Sequence, residues 1–179
     1  MTFAAQEDGV WSVDAEFHEP APETETAAHH DRFIIDTTPP QLGIAFDNTD
    51  VANGMYYDAP RTATITQIER NLSESESVIS ISATDGNGNE QPVPAGSGWA
   101  CTDGERHDAS WTNTVTFSGE GHYTMEISAI DLAGNKAQAA TVPEFVIDLT
   151  PPHIAIDRVS DGTAYAGTVA PSIECADAN

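Results

Sequence analysis

A chain of 179 residues holds one or two small domains, and its 29 acidic against 6 basic side chains give a formal net charge of −23. Nucleic acid and anionic membrane surfaces are excluded as natural partners, because both need clustered Lys and Arg. Hydrophobic residues make up 39% of the chain, too many for wholesale disorder, and no run approaches the roughly 20 apolar residues of a membrane-spanning helix.

In chain order, the start MTFAAQEDGVWSV has neither a basic beginning nor an apolar h-region, so no signal peptide is expected. Within it, DGVWSV (Asp8–Val13) precedes an acidic stretch and then TETAAHHDR (Thr24–Arg32), which reads as a loop. FIIDTTPP (Phe33–Pro40) ends a strand in a diproline. Each proline fixes φ near −65° and restricts the residue before it, so the joint is short and semi-rigid.

Strand signals then dominate. QLGIAF (Gln41–Phe46), TATITQIE (Thr62–Glu69), VISISAT (Val78–Thr84) and SWTNTVTF (Ser110–Phe117) are rich in β-branched residues and alternate with period two. HYTMEISAID (His122–Asp131) follows the turn SGEG, placing Tyr123, Met125, Ile127 and Ala129 on one face. ATVPEFVID (Ala140–Asp148) closes the series, and Pro143 predicts an edge position. No segment has a helical period, so the expected fold is an all-β sandwich.

FVIDLTPP (Phe145–Pro152) repeats FIIDTTPP with six identical positions, at an offset of 112. The same offset lays Asp8–Val13 on Glu120–Met125, matching Gly9 with Gly121 and Trp11 with Tyr123. Downstream, Gly54–Asn71 resembles Gly162–Asn179 at an offset of 108, which pairs Tyr57 with Tyr165 and Ile65 with Ile173. The chain therefore reads as the last part of one repeat (1–35), one whole repeat (36–147) and the opening of another (148–179), an internal piece of a longer array. Cys101 and Cys175 fall in different repeats, so no disulfide within a domain is expected.

A repeat of about 110 residues suits one β-sandwich, and Tyr123 sharpens the type. It follows a Gly-rich turn and precedes the inward Met125 by two residues. A tyrosine in that place in immunoglobulin-type sandwiches bonds back to the preceding corner, with a cysteine two residues later; Met125 stands for the cysteine here. GHYTMEISAIDLAGN (Gly121–Asn135) followed by FVIDLTPP resembles the tandem bacterial immunoglobulin-like repeats of cell-surface and adhesin proteins. The resemblance implies an immunoglobulin-like β-sandwich, one complete repeat flanked by partial ones. It further implies an extracellular, cell-surface location within a longer secreted or wall-anchored protein. The partners expected are neighbouring repeats of the same parent chain.

Asp36 and Asp148 stand at the two repeat junctions, and Asp131 opens the adjacent DLAGN turn. Carboxylates gathered at a junction suit calcium, a hard cation that takes six to eight oxygens. The resemblance points the same way, since some adhesin repeats are stiffened by calcium between domains. The alternative is that Asp131 and Asn135 only cap a tight turn. DGNGNE (Asp85–Glu90) has calcium-loop spacing at Asp85, Asn87 and Asn89 but lacks the closing Glu, and Asn-Gly after a strand predicts a hairpin. Trp99, in the Gly-rich segment AGSGWACTDG, is the candidate contact for a glycan, whereas Trp111 alternates with Val115 and Phe117 as a core residue would. His29, His30 and Asp31 read as solvated loop residues rather than metal ligands. No nucleophile elbow, zinc-protease helix or phosphate loop is present, so no catalytic residue is assigned.

Three roles remain from sequence. The first is a non-catalytic spacer, or stalk, presenting a distal domain. The second is an adhesion module binding a glycan or host surface protein through its loops. The third is an accessory domain of a secreted polysaccharide-degrading enzyme.

Overall fold

The computed structural model describes residues 4, 7–18, 26–103 and 109–177. Twelve strands and one short 3-10 turn (Glu74–Glu76) make up the regular structure of these residues. The strands are β1 (Gly9–His18), β2 (Thr26–Ile35), β3 (Gln41–Phe46), β4 (Tyr56–Tyr57), β5 (Arg61–Ile68) and β6 (Val78–Thr84). They continue as β7 (Ala100–Asp103), β8 (Ser110–Phe117), β9 (Gly121–Ser128), β10 (Ala140–Ile147), β11 (His153–Asp157) and β12 (Ser172–Ala176).

Eight of them form two four-stranded sheets, ordered β3-β5-β8-β7 and β4-β10-β9-β6. This is the immunoglobulin arrangement, with strands A, B, E and D facing C, F and G, and the short β4 running parallel beside the last strand. Period-two alternation explains why these segments are strands that bury one side. In β5 the inward Ala63, Ile65 and Gln67 are fully buried, and in β9 Tyr123, Met125 and Ile127 are buried while Thr124 and Glu126 face solvent.

The core between the sheets centres on Phe117. Its ring lies 5.1 Å from both Tyr123 and Phe145 in edge-to-face arrangements, and Phe46 meets Phe145 at 5.6 Å. No disulfide joins the sheets in this core, where Met125 occupies the cysteine position. The tyrosine corner forms as its sequence position predicts, with Tyr123 Oη donating to the Gly119 carbonyl at 3.0 Å. At the pole nearest Gly121, the Arg61 guanidinium stacks 3.9 Å from the Phe46 ring and 3.8 Å from that of Tyr57.

The structure corrects the sequence reading in three places. Two short strands, β4 and β7, have no strand signal in the sequence: one has only two residues, and the other lies in the Gly-rich segment AGSGWACTDG. His29, His30 and Asp31 lie in β2, not in a loop. Pro143 lies at a sheet edge as expected, because the two-residue β4 pairs only with Val146 and Ile147 and leaves the earlier part of β10 paired with β9 alone. It sits where the β9–β10 register shifts between Val142 and Phe145, so its missing N–H falls at a bulge.

Two hairpins flank the sandwich as separate two-stranded sheets, β1–β2 and β11–β12. Their registers reproduce those of the complete module. Gly9 faces Ile35 and Trp11 faces Phe33, as Gly121 faces Ile147 and Tyr123 faces Phe145. Likewise Ile154 faces Cys175 and Ile156 faces Ile173, as Leu42 faces Gln67 and Ile44 faces Ile65. The stretch FHEPAPETE (Phe17–Glu25), which stands where the complete repeat has AIDLAGNKA, lies outside the described residues from residue 19 onward.

A carboxylate cluster where the first linker meets the sandwich

β5 delivers the first member of the cluster. Its inward alternation carries on past Ile65 and Gln67 to Glu69, which is buried just beyond the strand end. The Glu69 backbone is fixed on both sides. Its N–H donates to the Ala109 carbonyl at 2.9 Å, and its own carbonyl accepts from Trp111 Nε1 at 3.0 Å. Trp111 thus serves the structure, as its alternation predicts.

The second member comes from the turn after β9. Asp131 Oδ1 accepts the backbone N–H groups of Ala133 and Asn135, each at 2.8 Å, and Asp131 Oδ2 accepts Asn135 Nδ2 at 2.8 Å. Gly134 supplies the positive φ of 93° that this turn requires. The turn-cap reading of Asp131 is therefore correct, and it holds the carboxylate rigidly at one pole of the sandwich.

The third member is Asp36, from the linker. Asn135 Nδ2 reaches the Asp36 carbonyl at 3.0 Å, and Asn71 Nδ2 donates to Asp36 Oδ2 at 2.5 Å. One oxygen from each of Asp36, Glu69 and Asp131 lies within 4.8 Å of the others. Asp36 is half-buried and the other two are buried. Burial pushes the Glu69 carboxyl above its ordinary range. The charges of Asp131 and Asp36 add to that push, while the Asn71 N–H at 2.6 Å opposes it.

Three carboxylates crowded at the end of a core repel one another unless a proton or a cation offsets their charge. The donor set is all oxygen, with no His or Cys in the cluster, which fits a hard cation such as calcium and not zinc. A second polar feature lies on the same face of β5, two residues before Glu69. Gln67 is fully buried, and neither of its amide atoms has a hydrogen-bond partner among the described residues. This pole of the core is thus built to hold polar groups.

Of the three residues singled out from sequence, Asp36 and Asp131 come together. Asp148 does not join them. It stands at the opposite pole, where its N–H donates to the Tyr57 carbonyl at 2.9 Å. Glu69 escaped the sequence reading, although a signal existed: at the offset of 108 its counterpart is Asp177, so an acid closes the same strand in both copies.

Each linker is also gripped from behind. Asp8 accepts the Thr37 N–H at 2.9 Å and the hydroxyls of Thr37 and Thr38 at 2.7 and 2.6 Å. These bonds hold its carboxyl below the usual carboxylate range, the Thr38 hydroxyl most strongly. Glu120, its counterpart, accepts the Leu149 N–H at 3.1 Å and the Thr150 hydroxyl.

The other candidates have different surroundings. Trp99 is half-buried, packs against the core and points Nε1 at the Ser77 carbonyl, 3.4 Å away. Asp85 is occupied by its own turn, accepting Asn87 N, Asn89 N and Asn89 Nδ2 at 2.8–2.9 Å. His29 pairs with Asp31 at 2.8 Å, and His30 pairs with Asp14 across the hairpin, all on exposed side chains.

Residues 108–179 match the family described as Bacterial Ig-like domain (group 3). The matched stretch runs from β8 through the second linker to the end of the chain, which bears out the bacterial immunoglobulin-like resemblance over that part. No curated protein and no solved structure matches the chain significantly. No helix among the described residues is long and apolar enough to cross a membrane.

Proposed function

Proceeding from the immunoglobulin-type sandwich and the match to bacterial Ig-like domains, we propose that this chain is a non-catalytic spacer from a bacterial surface protein. It comprises one complete module (36–147) between parts of two others (1–35 and 148–179), and its first junction is stiffened by calcium. The observation that carries this reading is the meeting of Asp36, a linker residue, with Glu69 and Asp131 from two loops of the module that follows. A cation held by all three would tie the linker to the sandwich, so that adjoining modules resist bending as one rod. The matching hairpin registers support the modular division, and the Asp8 and Glu120 contacts support linkers held at fixed angles. Outside the cell, millimolar calcium is a reasonable supply for such a site.

Comparing thermal melts in calcium and in chelator tests the proposal. With a Kd of about 10⁻⁴ M, about 5 mM calcium stabilises the folded chain by about 2 kcal/mol. That corresponds to a rise in Tm of roughly 8–16 °C for a module of this size. An identical Tm in both buffers would remove calcium from the junction and leave the spacer reading resting on the fold alone.

A further inference from the structure

We infer that the free edge of β6 is a homophilic docking surface, which pairs antiparallel with β6 of a second copy of this chain about a two-fold axis at Ser80. This edge belongs to the complete module and lies along its side, away from the poles where the neighbouring repeats attach.

β6 ends its sheet in the order β4-β10-β9-β6. Along it, even-numbered residues turn their backbone groups toward β9 and odd-numbered ones turn theirs outward, where the Ala83 carbonyl accepts the Gln91 N–H at 2.9 Å. Near its start, the outward Ser77 carbonyl accepts Trp99 Nε1 at 3.4 Å. Between these two closed points, the N–H and C=O groups of Ile79 and Ile81 have no outward bond among the described residues. In variable-type immunoglobulin sandwiches further strands continue the sheet from this same strand, so what fits the edge is a strand.

The other edges of the sandwich carry devices against such pairing. β4 has two residues, and the open part of β10 holds Pro143 at a register shift. β7 is four residues long with a register shift of its own, and β3 is interrupted by Gly43. β6 has none of these: Val78–Ser82 reads VISIS, without charge, proline, glycine or bulge.

The edge is complementary to itself. Its open segment is closed off at Ser77 and Ala83, so it is centred on Ser80. Pairing Ile79 with Ile81 of the second copy, and Ile81 with Ile79 of that copy, satisfies every open group with about four hydrogen bonds and sets the two Ser80 residues side by side. In that register Glu76 falls toward Thr84 and Asp85 toward Ser75, so like charges do not meet although each chain carries −23. Glu126, beside Ser80 on β9, lies three strand spacings from its counterpart, roughly 14 Å and beyond the ~8 Å screening length of physiological salt. On the inner side, Ile79, Ile81 and Trp99 are half-buried against the core and gain cover. Antiparallel β6 strands make the two chains antiparallel, because the first linker enters at one pole and the second leaves at the other. On the spacer reading, arrays rooted on two facing surfaces meet side by side in this way, and the contact is one of adhesion between like cells.

A two-fold contact closes on itself, so association stops at a dimer. One short strand pair buries well under the roughly 1,200 Å² of a stable interface, so the dimer is weak and concentration-dependent. Sedimentation of the chain in physiological salt between about 20 and about 500 µM should show weight-average mass rising toward twice the monomer and no further. Amide exchange at Ile79 and Ile81 should slow severalfold over the same range. Ser80 is exposed, so Ser80→Lys and Ser80→Glu should each keep the melt of the wild-type chain while setting like charges across the axis, and each should stay monomeric. Mixed one to one, the two variants should form a heterodimer. A wild-type chain that stays monomeric throughout the range would overturn the inference. So would a dimer with unslowed exchange at Ile79 and Ile81, a Ser80→Lys protein that still dimerises, or a mixture of the two variants that remains monomeric. Each of these failures leaves the spacer and its junction calcium standing, because melts in calcium and chelator test those separately.

Discussion

Asp85 and Asp131 begin the same five-residue turn, Asp-x-x-Gly-Asn, with the same set of bonds from the N–H groups two and four residues on and from the Asn side chain. One turn stands in solvent, where these bonds, led by the Asn89 side chain, draw the Asp85 carboxyl below its usual range. The other lies buried against Glu69 and Asp36, so identical local chemistry is put to a different use by its neighbours. Glu69 is where this difference can be measured. Its carboxyl titrates above the ordinary value in the folded chain, so ionising it opposes folding, and its contribution is most favourable at low pH and lost as pH rises through the raised folded value. In chelator at neutral pH, Glu69→Gln should therefore raise Tm by a few degrees, and the gain should shrink as pH falls toward 4.5. The same variant should cancel the calcium-dependent rise. A Glu69→Gln protein that keeps the full calcium response would show that the cation, if bound, lies elsewhere. Tyr123→Phe tests the corner: it deletes the bond to the Gly119 carbonyl while keeping the ring against Phe117, and should cost about 1 kcal/mol by denaturant unfolding.

Among the elements, β8, β9 and β10 concentrate the core through Phe117, Tyr123, Met125, Phe145 and Ile147. Phe117 touches three other rings, so Phe117→Ala removes the shared centre of the aromatic cluster and should cost about 3–5 kcal/mol, read as a lowered denaturant midpoint with little change in slope. Strand periodicity made most of these elements legible. Val78–Thr84 and Ser110–Phe117 have the bounds expected from alternation alone, because the more buried residues alternate with exposed ones from Ile79 to Ala83 and from Asn113 to Phe117. β4 and β7 carry no such pattern. Two residues cannot show a period, and Ala100–Asp103 pairs with β8 only because β8 offers it an open edge.

At the scale of the whole molecule, protection should follow the layers. Amide hydrogen exchange is expected to be slowest in β5, β8, β9 and β10, each flanked or covered within the sandwich, and at least 10-fold faster in β1–β2 and β11–β12, whose inward faces remain exposed. Uniform protection across the sandwich and both flanking hairpins in a monomer would contradict the division into one complete and two partial modules. The net charge of −23 acts at this scale as well: it keeps neighbouring chains apart in dilute salt, a repulsion that added salt screens.

Period-two alternation and the tyrosine before Met125 determined, from sequence alone, an all-β immunoglobulin-like sandwich, and the doubled FIIDTTPP phrase set where its linkers are expected. They could do so because burial of every second side chain and the fixed φ of proline are local properties of the chain. What only the tertiary structure decided is which acids meet. Asp36, Glu69 and Asp131 are separated by 33 and 62 residues in sequence and become neighbours only once β5 and β9 lie in facing sheets with their ends at one pole. Asp148, the repeat partner of Asp36, is carried to the other pole because it follows the last strand of the same sandwich, and chain direction sets that position where motif identity cannot.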